Sequence, residues 1–361
     1  MRTIIQVMGM DSTKFGGLER FMLKLMDFCP EFRFILVYNS MPQSAVYLDE
    51  LNKRNCLVVV EDCANMKFMD KMRFVRKIVS YKASLIHFHF YSNWFISLML
   101  MFSGVRQYRS VRSCVQTEFY GRLGWLRKLK HKIQWQLCAI SIDKFIAVSR
   151  YVEGQLKFYG LKNVMTIYHG VEPYYSERLV IDKDKKVVTC LGFANPVKGI
   201  DIFIKSLSFV ESEDFEAWII GLDEKQEYTV KMKMLAKELG VKNRIKWIGV
   251  VDNVGEYLKI SDLFCQTSRS EALSLAACEA LMYECPVIGS NVGGLPEVAQ
   301  LTFENGDSCQ LASLIKKVLS DDVYREKLKK EAFEKYSNNF RLETGIKCYY
   351  NLYIEALEKI K

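Results

Sequence analysis

Short runs of β-branched and aromatic residues alternate along this chain with stretches whose apolar positions recur every three or four residues. The first kind predicts strands and the second amphipathic helices. In the first half the strands fall at 3–8, 34–38, 57–60, 85–88, 108–113, 144–148 and 164–168, with helices at 18–28, 68–81, 93–102 and 124–138. Consecutive parallel strands need a crossover that a helix supplies, so this order predicts a parallel sheet covered on both faces.

The pattern then restarts. A polar, charged stretch over 172–186 reads as a linker, and a second series follows. Its strands fall at 187–192, 217–220, 245–248, 263–266 and 286–289, its helices at 200–209, 225–239, 273–283 and 308–319. The predicted organisation is a Rossmann-like domain over 1–172, a linker over 173–186 and a second Rossmann-like domain over 187–340. A helical tail over 341–361 carries Tyr349, Tyr350 and Tyr353, which predicts packing back on the first domain. Two doubly wound α/β domains on one linker leave a cleft at their strand ends, where open α/β sheets bind ligands.

Composition narrows the setting. With 361 residues, half of them hydrophobic, the chain has material for two cores. The run 94–102 is too short to span a bilayer, and the first residues lead straight into a glycine loop rather than a signal peptide. Eleven cysteines, an odd number without a CxxC pair, fit free thiols in a reducing cytoplasm better than a disulfide framework or a zinc site. Charge is uneven: residues 1–175 hold 25 Lys/Arg against 13 Asp/Glu, residues 176–361 hold 26 against 29. An anionic partner is therefore expected at the first half.

Chemistry gathers in the second half. Glu271 and Glu279 stand eight positions apart, joined by small and apolar residues. Eight helical residues rise about 12 Å, the span from a sugar ring to the ribose of a nucleotide diphosphate sugar. Two solvated helix carboxylates are the alternative reading. Upstream, Gly192 to Gly199 follows a strand and opens a helix, so backbone N–H groups and Lys198 offer a diphosphate site, though many strand-to-helix turns look alike. Gly16-Gly17-Leu18-Glu19 places a second glycine turn after the first strand. Gly293-Gly294-Leu295-Pro296-Glu297 places a third, with Glu297 either a ligand contact or a helix cap. None has the GxGxxG order of a nicotinamide dinucleotide site. Asp182-Lys183-Asp184 is formally a metal-binding DxD, but it lies in a lysine-rich linker and reads as solvated charge.

Taken in order, GGxE, GxxxxxKG, E-x7-E, a Pro-Val-Ile strand and GGxPE resemble glycosyltransferase family 4, retaining enzymes of the GT-B fold. The turn Tyr168-His169-Gly170-Val171 resembles that family's NGV turn, with His169 in place of Asn. The resemblance implies that Glu279 binds the ribose hydroxyls and Glu271 contacts the donor sugar near the reacting carbon. Amides around Ser274 and Leu275 would hold sugar or phosphate oxygens, Lys198 would neutralise the leaving diphosphate, and Gly16 and Gly17 would approach the same phosphate. It implies no protein nucleophile, no metal and no cofactor beyond a donor of the UDP or GDP type. Two positions depart from the family. Phe193 stands where members carry Arg, which brings Arg269 forward as a helper to Lys198. Ser113-Cys114-Val115 stands where many have a histidine, which makes His89 the candidate substitute, beside the alternative of a structural His.

The stretch 106–132 holds eight Lys/Arg against Glu118 alone. A helix there would present Arg127, Lys128, Lys130 and Lys132 beside Trp125 and Trp135, a pattern suited to an anionic membrane surface. A nucleic-acid groove or a solvated face would look the same. The expected function is retaining transfer of a hexose from a nucleotide sugar to a hydroxyl, with a lipid-linked saccharide of surface polysaccharide synthesis as acceptor. The protein would be cytoplasmic, peripheral at the inner membrane face, with no nucleic acid as partner. A non-catalytic nucleotide-sugar scaffold and a sugar-nucleotide 2-epimerase are the alternatives.

Overall fold

The computed structural model describes residues 2–13, 15–63, 65–90, 93–114, 124–173, 184–193, 195–210 and 215–358; for 124, 125, 127 and 128 it describes the backbone alone. The chain forms two compact units, Met1–His169 with Leu342–Lys361, and Gly170–Arg341.

The first unit carries seven parallel strands: β1 (Arg2–Val7), β2 (Phe32–Tyr38), β3 (Leu57–Val60), β4 (Leu85–Phe88), β5 (Arg106–Val111), β6 (Lys144–Ala147) and β7 (Val164–Thr166). Their order is β3-β2-β1-β4-β5-β6-β7. The winding reverses between β1 and β4, whose in-register pairing runs from Ile4 opposite Leu85 to Val7 opposite Phe88. The second unit has six: β8 (Lys186–Leu191), β9 (Phe215–Ile220), β10 (Ile245–Gly249), β11 (Leu263–Gln266), β12 (Val287–Ser290) and β13 (Leu301–Phe303), in the order β10-β9-β8-β11-β12-β13. Its reversal lies between β8 and β11. At such a reversal the loops leaving adjacent strands part to opposite faces and open a crevice at the strand ends.

Both sheets are buried on both faces, which is why their strands read as continuous apolar runs. Ile4, Phe34, Leu36 and Leu85 anchor one core; Val188, Ile219, Leu263 and Ile288 anchor the other. The helix Asp322–Asn339 stays with the second unit, and the C-terminal helix, Leu342–Glu358, joins the first. The latter packs along the Gly17–Phe28 helix, with the Phe21 and Tyr349 rings edge to face at 5.3 Å and Tyr349 and Tyr353 fully buried. Each such aromatic contributes on the order of 1.5–3 kcal/mol through burial.

Strand positions follow the sequence reading closely, whereas the helices Ala45–Lys53, Arg150–Phe158 and Val254–Ile260 and strand β13 were not anticipated. Each is short, with too few apolar repeats to establish a period. Of the expected linker, 174–183 lie outside the described residues, Asp182 and Lys183 among them. All eleven cysteines are free thiols. Among the described residues no helix is long and apolar enough to cross a membrane.

Candidate functional site

In the second unit, loops leaving β8, β11 and β12 are stitched together at the strand ends. Lys198 closes a 3-10 turn, Pro196–Lys198, whose Val197 N–H is capped by the Asn195 side chain. Gly199 follows at φ 64°, and a Cβ there would stand 2.0 Å from the Thr267 carbonyl oxygen, so the two loops touch only because the residue is glycine. The contact is fastened by Arg269 N–H donating to Val197 O at 2.7 Å and by the Thr267 hydroxyl donating to Lys198 O at 3.2 Å.

This stitching brings Lys198 Nζ to 2.7 Å from Glu271 Oε1. The same oxygen accepts from the Ser268 hydroxyl at 2.9 Å, and Ser268 Oγ accepts from Gln266 Nε2 at 2.7 Å. The Ser290 hydroxyl, at the end of β12, donates to Ser268 O. The Glu271 carbonyl accepts from Gly294 N–H at 3.0 Å. Gly293 has φ 56°, and a Cβ there would lie 1.7 Å from that carbonyl oxygen. The glycines of the GGxPE run therefore serve to hold the Glu271 backbone. Glu271 is a partly buried carboxylate, its side chain 11% exposed, that balances one ammonium.

Residues 271–274 are not helical. The helix spans Leu275–Met282, so the spacing to Glu279 is loop followed by helix and not the uniform rise expected. Ser274 is its N-cap, and its hydroxyl oxygen accepts the Ala277 N–H at 3.2 Å. The helix supplies no acceptor to the Leu275 and Ala276 N–H groups, which leaves a positive end for an anionic or carbonyl oxygen. Glu279 follows on the second turn, partly exposed.

Other expected donor contacts are committed elsewhere. Arg269 grips Asp201 through two nitrogens, at 2.9 and 2.7 Å, and donates to Pro196 O at 2.7 Å. Burial alone would raise the Asp201 carboxyl, but the guanidinium prevails and holds it below its usual range. Arg269 thus braces the Lys198 turn and does not present an open fork. Glu297 lies on the one-turn helix Leu295–Val298, near enough to Lys335 to counter the downward pull of burial on that ammonium. Phe193 is 60% exposed, so the position where the family carries Arg presents a ring.

In the first unit, Gly16 caps the Gly17–Phe28 helix, and its N–H is taken by Glu19 Oε2 at 3.0 Å. Ser12 donates to the other Glu19 oxygen at 2.8 Å. A carboxylate from the helix itself already stands where Gly16 and Gly17 were expected to meet a phosphate.

His89 directly follows β4 and is 3% exposed. Its Nδ1 accepts from Arg112 Nε and Nη2 at 3.3 and 3.2 Å, so its proton sits on Nε2, 2.7 Å from Gln6 Oε1. Gln6 Nε2 donates to Tyr353 OH at 3.0 Å, Tyr353 OH is hydrogen-bonded with His87 Nδ1 at 2.7 Å, and His87 Nε2 with Ser110 Oγ at 2.9 Å. Ser110 Oγ and Tyr349 OH share a further hydrogen bond at 3.0 Å. Burial, first of all, and then the His87 ring and the Arg112 charge press the His89 pKa well below its ordinary value. His89 is thus a neutral ring inside a buried network, a positioning group for Arg112 and not an exposed acid–base residue.

Of the expected membrane-facing residues, Lys130 and Lys132 are exposed on the Gly124–Ser141 helix, together with Leu126, Leu129 and Ile133. The side chains of Trp125, Arg127 and Lys128 lie outside those described. Trp135 is buried, its ring beneath the Arg109 guanidinium at 4.2 Å.

Sequence reasoning missed Ser268, Gln266 and Asp201, which orient Glu271 and Arg269, and Arg112. A basic residue at a predicted strand end was the available signal for the last. The others become visible only when three loops meet.

Residues 16–174 match the model of Glycosyltransferase Family 4 and residues 172–335 that of Glycosyl transferases group 1. The chain belongs to glycosyltransferase family 4. This family 4 chain is 25% identical over 214 residues to an N-acetyl-alpha-D-glucosaminyl L-malate synthase of Bacillus anthracis, covering 55% of this chain and 56% of that one. It is 26% identical over 264 residues to the capsular polysaccharide biosynthesis glycosyltransferase CapH of Staphylococcus aureus, covering 70% and 74%. The first of these matches spans only about half the relative's length. Among solved structures, Anabaena Alr3699/HepE in complex with UDP superposes with a TM-score of 0.78 at 17% identity, covering 98% of this chain and all of that one. The fold is GT-B, with two Rossmann-like parallel sheets.

Proposed function

We propose that this family 4 chain is a retaining, metal-independent glycosyltransferase that moves a hexose from a nucleoside diphosphate sugar to a hydroxyl acceptor. One observation carries the reading: the Lys198–Glu271 pair, held by two glycine-dependent loop contacts beside the capped start of the Leu275–Met282 helix. A leaving diphosphate needs fixed positive groups where its charge develops. Lys198 and the Leu275 and Ala276 amides supply them. Glu271 keeps Lys198 positioned and takes a sugar hydroxyl once the diphosphate draws the ammonium away. Glu279, farther along the helix, accepts from the ribose hydroxyls. Glu297 shapes the loop behind them.

The donor is of the UDP or GDP type, in keeping with the UDP bound by the Anabaena protein. The CapH relative supports a role in surface polysaccharide synthesis with a saccharide or lipid-linked acceptor. The exposed face of the Gly124–Ser141 helix, with Lys130 and Lys132 among Leu126, Leu129 and Ile133, suits peripheral contact with an anionic membrane.

The test is incubation of purified protein with a panel of nucleotide sugars and membrane extracts containing lipid acceptors, following nucleoside diphosphate release with and without chelator. Release from one donor, undiminished by chelator, is the expected result. Binding without turnover across the panel would replace the transferase by a nucleotide-sugar-binding scaffold, and epimerised donor would replace it by an epimerase. The anomeric configuration of the product, read by NMR, decides retention.

A further inference from the structure

Arg112 is the first residue past β5, between His89, the first past β4, and His169, three past β7. All belong to the first unit, at the same ends of its parallel strands β4, β5 and β7. Three N–H groups of Arg112 rest on imidazole nitrogens: Nε and Nη2 on His89 Nδ1, and Nη1 on His169 Nδ1 at 2.7 Å. A guanidinium has five donors, so one N–H remains on each terminal nitrogen. Among the described residues no carboxylate pairs with it, and burial pulls its pKa below the ordinary value. The Phe21 ring supports it at 5.5 Å and also stacks on His169 at 4.0 Å.

His169 repeats the deficit. Its Nδ1 accepts from Arg112, so its proton is on Nε2, and that atom is buried with no partner in a residue 3% exposed. A buried N–H without an acceptor costs about 1–3 kcal/mol. The two nitrogens point to opposite sides of the ring, so this N–H faces away from Arg112. Burial and the neighbouring guanidinium keep His169 neutral, its pKa pressed well below the ordinary value. The ring therefore holds Arg112 in place without adding a second charge.

We propose that Arg112, its guanidinium fixed by His89 and His169, forms a subsite for an anionic oxygen group, a carboxylate or a phosphate ester, on the acceptor. The word acceptor rests on the transferase reading; the anion site does not. Two oxygens of one such group satisfy the remaining Arg112 N–H groups together, a planar-fork geometry that lysine does not reproduce.

The chain has four histidines, so imidazole nitrogens are resolvable by long-range proton–nitrogen NMR on the full-length protein. Inorganic phosphate and succinate are titrated separately, with sodium chloride at equal ionic strength and with nucleoside diphosphate present or absent. The expected result is a saturable shift of the His89 and His169 Nδ1 signals, the atoms that Arg112 touches, with phosphate, succinate or both, unmoved by chloride and not blocked by nucleoside diphosphate. The anion that binds tells a phosphate ester from a carboxylate. Arg112→Gln should weaken the effect at least tenfold and Arg112→Lys severalfold. An absent or non-saturable shift, an equal shift in Arg112→Gln, or competition by nucleoside diphosphate overturns the proposal. If Arg112→Gln does not fold, unchanged affinity in Arg112→Lys overturns it equally. Failure of the donor panel would remove the transferase, whereas the anion site stands or falls on this titration alone.

Discussion

Each unit places a basic residue past the end of a central strand, Lys198 after β8 and Arg112 after β5, and the two are treated oppositely. In the second unit Lys198 meets Glu271 at 2.7 Å, and a serine and glutamine behind the carboxylate hold it in place. In the first, Arg112 rests on two neutral imidazoles. An internal counter-ion keeps a charge ready and lets an incoming anion take it by exchange. A cation backed only by neutral rings is held in geometry and left electrostatically unsatisfied. The first arrangement suits a group that is bound, reacted and released; the second suits selection by charge.

Breaking the pair should have the largest effect. Lys198→Ala is expected to lower turnover on the best donor by about 10²–10³-fold, the range for loss of one donor to a developing oxyanion, with folding unchanged by circular dichroism. Turnover within threefold of wild type would remove Lys198 from the chemistry. Glu279→Ala should act on binding: nucleoside diphosphate affinity falls about tenfold or more, as for a lost hydrogen bond of roughly 1.5–3 kcal/mol. Calorimetric titration checks this, and unaltered affinity would leave Glu279 an ordinary helix carboxylate.

The first unit should reveal itself through pH. His87, His89 and His169 are all pressed well below their ordinary range, burial being the largest cause in each. In the unfolded chain such rings protonate near pH 6.5. Below that pH the unfolded state binds more protons, so stability is lost as pH falls, by up to about 1.4 kcal/mol per unit for each ring that stays neutral. Urea midpoints between pH 7.5 and 5 measure it; a flat profile would mean the rings are not held neutral. The smallest effect belongs to Gly293→Ala, expected to cost at least about 1 kcal/mol, because φ 56° and the Glu271 carbonyl oppose a Cβ. A melting temperature equal to wild type would show that the loop yields.

The comparison also explains what could be read in advance. Both sheets were legible because buried parallel strands are largely apolar runs, and E-x7-E and the Lys198 turn drew attention to the loops that form the second unit's candidate site. The helices Arg150–Phe158 and Val254–Ile260 were not legible, since one or two turns of apolar repeat do not fix a period. The division of labour among glycines was invisible too: Gly199 and Gly293 read only as members of glycine turns that open helices, and they are places where one loop passes over another. Arg112 was hidden for a different reason. The predicted strand 108–113 absorbed it as a strand residue, whereas β5 stops at Val111 and leaves it one step beyond. Only contacts between residues far apart in sequence, such as Gln6, His87 and Tyr353, disclose the network it commands.

That network has a handedness of its own. Arg112 can only donate, so His89 carries its proton on Nε2 and gives it to Gln6 Oε1, and the Gln6 amide turns its own N–H to Tyr353. With a residue there that can both give and accept, the His89 tautomer and the Gln6 amide could reverse together, as in proton-disordered ice. One guanidinium thus acts as a polarity setter for the first links of a string of side chains that reaches the C-terminal helix.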